Sequence, residues 1–239
     1  MSLPALSSLA DPDLLSTRPE AAGYFAANAR RYERALELLR ARVEFSSCLD
    51  IGAGPQTLLF AREFPTARID TLGTYWDTLY ASAGKSTHIP FDLTECANAV
   101  GWPADGVGYD LVVFMEVLEH LLVSPQSVFE FLVSRLRPGG TILFTTPNGA
   151  RLRNRLLWLR GESPYFLPKT GEREHGHLRE YTTQELDEAI RASGLAVERH
   201  SIENLYRFPG WKNRALARFS NCLPPSFRGI HVYLLKKPD

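Results

Sequence analysis

Between Glu20 and Arg42, Tyr24, Ala27, Arg31, Ala35, Leu38 and Leu39 lie three or four apart, an apolar stripe but for Arg31, with Arg and Glu between them. That spacing predicts a helix with one buried stripe. The period then changes. A short apolar run, Cys48-Leu49-Asp50-Ile51, ends in Gly52-Ala53-Gly54-Pro55, and Gln56 to Phe64 returns to helical spacing until Pro65 stops it. Strand, glycine turn and helix within about 20 residues form the first half of a βαβ unit. Further strands are expected at Ala67–Leu72, His88–Leu93 and Tyr109–Met115, the last so apolar that it belongs at the centre of a sheet covered on both faces. Ser124-Pro125 predicts a capped helix start, with Val128, Phe129, Leu132, Val133 and Leu136 as its buried stripe. Pro138-Gly139-Gly140 ends that helix, and Thr141–Thr145 is a fifth strand. Thr182 and Glu185 have capping-box spacing for a helix closing at Gly194, followed by strands at Leu195–Arg199 and Ile230–Leu235. The alternation predicts one doubly wound α/β domain over residues 43–239, preceded by a tail and helical cap over 1–42. The stretches 149–179 and 203–228 break the alternation and are expected to be insertions.

Composition narrows the class. The chain has 239 residues, 44% hydrophobic and 23% charged, which excludes general disorder. Lys+Arg and Asp+Glu both number 27, and this neutrality disfavours nucleic acid as a partner. Cys48, Cys96 and Cys222 lie far apart with no Cys-x-x-Cys pair, which argues against a disulfide framework or thiolate zinc site and for a reducing, cytoplasmic setting. The first residues, MSLPALSSLADPDLL, lack a basic region or long apolar run, so no signal peptide is expected there; nor is any stretch apolar enough to predict a membrane span.

The first glycine turn is the first candidate site. Glycines allow a ligand close to the backbone, and the following helix start adds free N–H groups. A dinucleotide fingerprint would need glycine at position 57, where the chain has Thr57. An acid just ahead of the glycines, Asp50, instead suits an amino or hydroxyl group of a ligand.

Four blocks in order, LDIGAGP, FDLTE, YDLVVFMEVLEHL and LRPGGTILFTTPN, resemble the class I S-adenosylmethionine-dependent methyltransferases, from about Val43 to the C-terminus. Within that family the pattern is most similar to ubiquinone-biosynthesis-type and small-molecule O-methyltransferases. The resemblance implies a Rossmann-like seven-stranded sheet, mostly parallel with one antiparallel C-terminal strand and helices on both faces. It also implies S-adenosyl-L-methionine as cofactor. Asp50, Gly52, Ala53 and Gly54 would line its methionine part, Asp92 and Leu93 its adenine, and Met115 and Glu116 the floor beneath its sulfonium. Two positions depart from the family. Gly73 stands where the family has a ribose-binding acid, with Asp70 and Asp77 as nearby substitutes, and Gln56 replaces the third small residue of the turn.

Glu116, Glu119 and His120 share helical spacing, so one turn would gather them on one side, with His177 as a further nitrogen donor. Small-RNA 2′-O-methyltransferases and some ubiquinone-pathway enzymes resemble this arrangement and imply a divalent ion. The assignment without metal makes His120 or His177 a general base on an acceptor hydroxyl. Arg151, Arg153, Arg155 and Arg160 alternate with leucines in the first insertion without an acid. Residues 201–239 hold seven Lys/Arg against two Asp/Glu. These basic stretches point to an acceptor bearing phosphate or carboxylate, an anionic lipid or a nucleic-acid backbone, or else to a solvated arginine face. The expected function is methyl transfer to a hydroxyl of a small molecule, such as a sugar, quinone or secondary metabolite. The alternatives are a metal-assisted RNA 2′-O-methyltransferase, or a non-catalytic binding module, which Gly73 motivates.

Overall fold

The computed structural model describes residues 19–74, 87–104, 108–165, 176–205, 215 and 218–239. Residues 1–18 of the expected tail and Asp77 lie outside them. The chain runs α1 (Pro19–Arg42), β1 (Ser47–Ile51), α2 (Pro55–Glu63), β2 (Arg68–Gly73), β3 (His88–Pro90), β4 (Tyr109–Met115), α3 (Pro125–Arg135), β5 (Leu136–Pro147), α4 (Leu152–Leu159), α5 (Thr183–Ala192), β6 (Ala196–Glu203) and β7 (Ile230–Lys236). One seven-stranded sheet has the order β3-β2-β1-β4-β5-β7-β6. β7 runs antiparallel to both of its neighbours, β5 and β6. This is the expected Rossmann-like arrangement.

Strand pleating explains why β4 is apolar from Leu111 to Met115. Val112 and Phe114 point into one core with Phe129 and Phe131 of α3 and Leu186 of α5. Leu111, Val113 and Met115 point into the other with Leu59 and Phe60 of α2. Successive side chains face opposite sides, so a strand covered twice is apolar along most of its length; the exception, Asp110 near its start, accepts from Ser46 N at 2.6 Å and Ser47 N at 2.9 Å. Tyr32, Ala35, Leu36, Leu38 and Leu39 of α1 belong to that second core.

Boundaries differ where backbone hydrogen bonds overrule periodicity. β3 is shorter than expected: Asp92 leaves the strand and caps a 3-10 turn, accepting from Thr94 N at 2.9 Å and Thr94 Oγ1 at 2.7 Å. β5 is longer, because Leu136 pairs with Tyr109 across a register shift and Pro138-Gly139-Gly140 falls inside the strand. Ser124 begins α3 without a side-chain cap. The Thr182–Glu185 capping box forms as expected, with the Glu185 carboxylate accepting from Thr182 N at 2.8 Å.

Candidate active site

Parallel strands leave their carboxyl ends on one edge, where ligands of such sheets bind. At the end of β1, Asp50 is fully buried and accepts from Thr57 Oγ1 at 2.5 Å. The same hydroxyl accepts from Gly54 N at 3.0 Å, tying the glycine turn to the start of α2. Gly52 has φ +74, and a Cβ there would meet Val117 Cγ2 at 2.7 Å. Only glycine satisfies both conditions. Gln56 folds back over the turn: its Nε2 donates to Gly52 O at 3.1 Å, while its Oε1 would lie 2.7 Å from a Cβ on Gly54. The carbonyl of Gly52 therefore receives an N–H donor from above the turn, as it could from a ligand ammonium.

Asp92 is exposed and Leu93 buried, both just beyond β3. Met115 ends β4 in the core. Gly73 ends β2 without a side chain. Asp70 cannot replace a carboxylate there, because it pairs in register with Leu49, well before the strand end. Its carboxylate accepts from Tyr109 Oη at 2.7 Å and Thr87 N at 2.9 Å and is buried.

The turn after β4 departs from the helical expectation. Glu116 has φ +56, and only Leu118–His120 form a 3-10 turn, so Glu116 parts from Glu119 and His120. Glu116 Oε1 accepts from Thr145 Oγ1 at 2.9 Å, and its Oε2 lies 3.2 Å from Arg31 Nη1 of α1. Both partners of that ion pair are at most 7% exposed.

Glu119 is fully buried and turns toward two imidazoles. Its Oε2 accepts from Thr146 Oγ1 at 3.1 Å. Its Oε1 lies 3.9 Å from His177 Nε2 and 4.0 Å from His120 Nε2, with no hydrogen-bond partner among the described residues. Burial, reinforced by the nearby Glu116, pushes the Glu119 carboxyl well above its ordinary value. His120 and His177 meet edge to face, with ring centroids 5.1 Å apart. The structure thus brings both expected histidines together from distant parts of the chain.

His177 is held from behind. Its Nδ1 lies 2.7 Å from Glu180 Oε1, which is also 2.7 Å from Arg151 Nη2; Asn154 Nδ2 donates to Glu180 Oε2 at 2.7 Å. Burial alone would raise the Glu180 carboxyl, but its bonds from His177 and Asn154 and the Arg151 charge outweigh it and hold the group below the usual range. A carboxylate there accepts a hydrogen bond from Nδ1–H and leaves the Nε2 lone pair facing the site. Glu180, Asn154 and Arg31 were not expected from the sequence as site residues. Arg31 alone left a signal, a charge inside an apolar helical stripe.

A separate open cleft of about 630 Å³ lies between the segment after this turn and α5, lined by Leu121, Val123, Gln126, Tyr181, Glu185 and Ala189 among others. It contains none of the expected site residues.

A family profile described as a methyltransferase domain matches residues 23–200. Among solved structures, a chain in the complex of the Haloferax volcanii Trm112 methyltransferase activator with a candidate methyltransferase is 18% identical, with TM-score 0.62, covering 95% of this chain and 97% of that one. An S-adenosylmethionine-dependent methyltransferase from Archaeoglobus fulgidus is 15% identical, with TM-score 0.57 and coverages of 87% and 94%. The N-methyltransferase NodS from Bradyrhizobium japonicum, in complex with S-adenosyl-L-homocysteine, is 15% identical, with TM-score 0.53 and coverages of 97% and 95%. At these identities the likeness is one of fold.

Proposed function

The chain belongs to the methyltransferase-domain family, and from that premise we propose that it transfers a methyl group from S-adenosylmethionine to a hydroxyl of a small molecule, with His177 as the proton acceptor. The glycine turn fits the cofactor: Gly52 is confined to glycine by backbone and contact, and its carbonyl accepts an N–H donor, here Gln56 Nε2, in the place a ligand ammonium would take. Asp50, Gly52, Ala53 and Gly54 would hold the methionine end, Asp92 and Leu93 the adenine, and Met115 and Glu116 the floor. When bound, the cofactor supplies a methyl group on a sulfonium, which is already a good leaving group. The chain's own task is to align the acceptor and remove its proton.

The observation carrying the hydroxyl assignment is the contact between His177 Nδ1 and Glu180 at 2.7 Å. It sets the tautomer in which Nε2 accepts a proton, and the Glu180 carboxylate stabilises the imidazolium that follows. His120 meets that ring edge to face. Isothermal titration with S-adenosylmethionine tests the cofactor assignment, because absence of heat at millimolar ligand would favour a binding module instead. Against a panel of hydroxyl acceptors, His177→Ala should bind the cofactor normally and lose the rise of rate with pH; an unchanged pH profile would remove His177 from the mechanism.

A second function is favoured by one atom. Glu119 Oε1, buried without a hydrogen-bond partner among the described residues, faces His120 and His177, and the ligand atoms of all three lie within 4.8 Å of one another. These donors fit a divalent cation such as Mn²⁺ or Zn²⁺. In that case Glu119, His120 and His177 would hold the ion near the acceptor, as a metal-assisted 2′-O-methyltransferase would require, although zero net charge counts against RNA as the acceptor. Elemental analysis of protein purified without chelator, and loss of turnover with EDTA restored by Mn²⁺, distinguish the two.

A further inference from the structure

Helix α4 is built inside out. Its buried face is polar: Asn154 is fully buried and donates to Gly149 O at 3.1 Å and to Glu180, while Arg151 just ahead of the helix grips the same carboxylate. Leu152, Leu156 and Leu159 recur at i, i+4 and i+7, and by helical geometry they lie opposite Asn154. Leu159 is 83% exposed and Leu156 36%, and the neighbouring Trp158 is 54% exposed. A surface helix ordinarily turns such a stripe to the core. Here the inner position is spent on holding Glu180, and Leu156 and Leu159 face water with Leu152 half-buried beside them.

The stripe has charged borders of one sign. Arg155 flanks it on one side and Arg153 and Arg160 on the other, all exposed, and residues 150–161 contain no acid. Arg155 also lies over the Phe227 ring at 4.2 Å, which fixes its stem beside the leucines. Apolar side chains between cationic borders, with a tryptophan at the edge, match the interfacial region of a bilayer rather than a groove in a protein. A nucleic acid would use the arginines and leave Leu156 and Leu159 in water.

We propose that α4 docks the protein on an anionic phospholipid surface, with Leu156 and Leu159 entering the acyl boundary and Arg153, Arg155 and Arg160 contacting lipid phosphates. No described helix is long and apolar enough to cross a membrane, so the attachment is peripheral. Because Arg151 and Asn154 join α4 to Glu180 and through it to His177, a docked helix holds the site beside the bilayer. An acceptor carried on a lipid then reaches the site without leaving the surface.

Co-sedimentation with vesicles tests this on the full chain, without any turnover. Vesicles of phosphatidylcholine with phosphatidylglycerol should retain the protein, and phosphatidylcholine alone should not. Leu159→Ser should weaken partitioning about tenfold, and Arg153→Gln and Arg160→Gln about fivefold each. All three side chains are exposed, so thermal melts should match the wild type. Equal binding by wild type and Leu159→Ser, binding to neither vesicle, retention on RNA that depends on the leucines, or a leucine-dependent dimer in sedimentation velocity without lipid would each overturn the proposal.

Discussion

Replacing Arg31 with Met removes the cation that faces Glu116 across 3.2 Å in a site where both side chains are at most 7% exposed. Met matches Arg closely in helix propensity, so α1 itself is undisturbed. What changes is electrostatic. Glu116 keeps neutral donors such as Thr145 Oγ1 at 2.9 Å but loses its opposite charge. Breaking a buried pair from one side typically costs about 3–5 kcal/mol. At about 2–4 °C per kcal/mol for a chain of this size, the melting temperature should fall by roughly 10 °C. Arg31 also holds the Glu119 carboxyl down, so its loss pushes that group further up. Urea unfolding followed by circular dichroism should compare Arg31→Met, Glu116→Gln and the double variant. Neutralising both partners removes the stranded charge, so the double variant should be more stable than Arg31→Met by about 1–3 kcal/mol. A cost below about 1 kcal/mol for Arg31→Met, or a double variant no better than it, would refute the claim that this pair fastens α1 to the site.

Three other perturbations read separate parts of the site. Gln56→Ala frees the Gly52 carbonyl now bonded at 3.1 Å, and removing a competing hydrogen bond of about 1 kcal/mol should tighten S-adenosylmethionine binding about fivefold by titration calorimetry; weaker binding would mean that Gln56 assists the cofactor. His231, buried beside His200 on β7, has its imidazole pushed down from 6.5 to about 3 by burial and then by the His200 charge. The unfolded chain therefore binds the extra proton first, and stability should fall as pH drops from about 6.5 toward 3, by about 2 kcal/mol between pH 7 and 5. His231→Asn should flatten that slope in urea midpoints. Glu119 has the opposite sign, since its raised pKa makes the folded state the better proton binder and stability is lost as pH rises above 4.5. Glu119→Gln should therefore stabilise cation-free protein at pH 8 and hardly at all at pH 5, and a melt series that shows no such difference excludes an uncompensated Glu119.

Periodicity made the sheet and the helices over it readable, because burial on two faces imposes the apolar run Leu111–Met115 of β4 and burial on one imposes the stripe of α1. Boundaries were less legible where a single hydrogen bond decides them. Asp92 ends β3 by capping its own turn, and Leu136 joins β5 only because Tyr109 lies across from it. The site was legible where chemistry is local, as in the glycine turn. It was misread where a backbone angle intervenes: spacing grouped Glu116 with Glu119 and His120, but φ +56 at Glu116 turns that carboxylate away. Contacts between Glu180 and Arg151, or Arg31 and Glu116, join residues 29 and 85 positions apart, and no period or spacing encodes them.

Three glutamates close to one another show how environment, rather than residue type, assigns roles here. Glu116 is spent on Arg31 and anchors the helix that closes the core. Glu180 is held as a carboxylate by Arg151, Asn154 and His177, so it can orient an imidazole and support its charge. Glu119 has Thr146 on one oxygen and nothing charged within hydrogen-bonding reach of the other, and burial drives it toward the neutral form. A buried acid in that condition is a cost to folding. The cost is relieved by a proton, which leaves His177 as the base, or by a cation shared with His120 and His177. The two outcomes differ in charge at the point where the acceptor must lose its proton, so the protonation state of Glu119 is the variable that separates the two proposed chemistries.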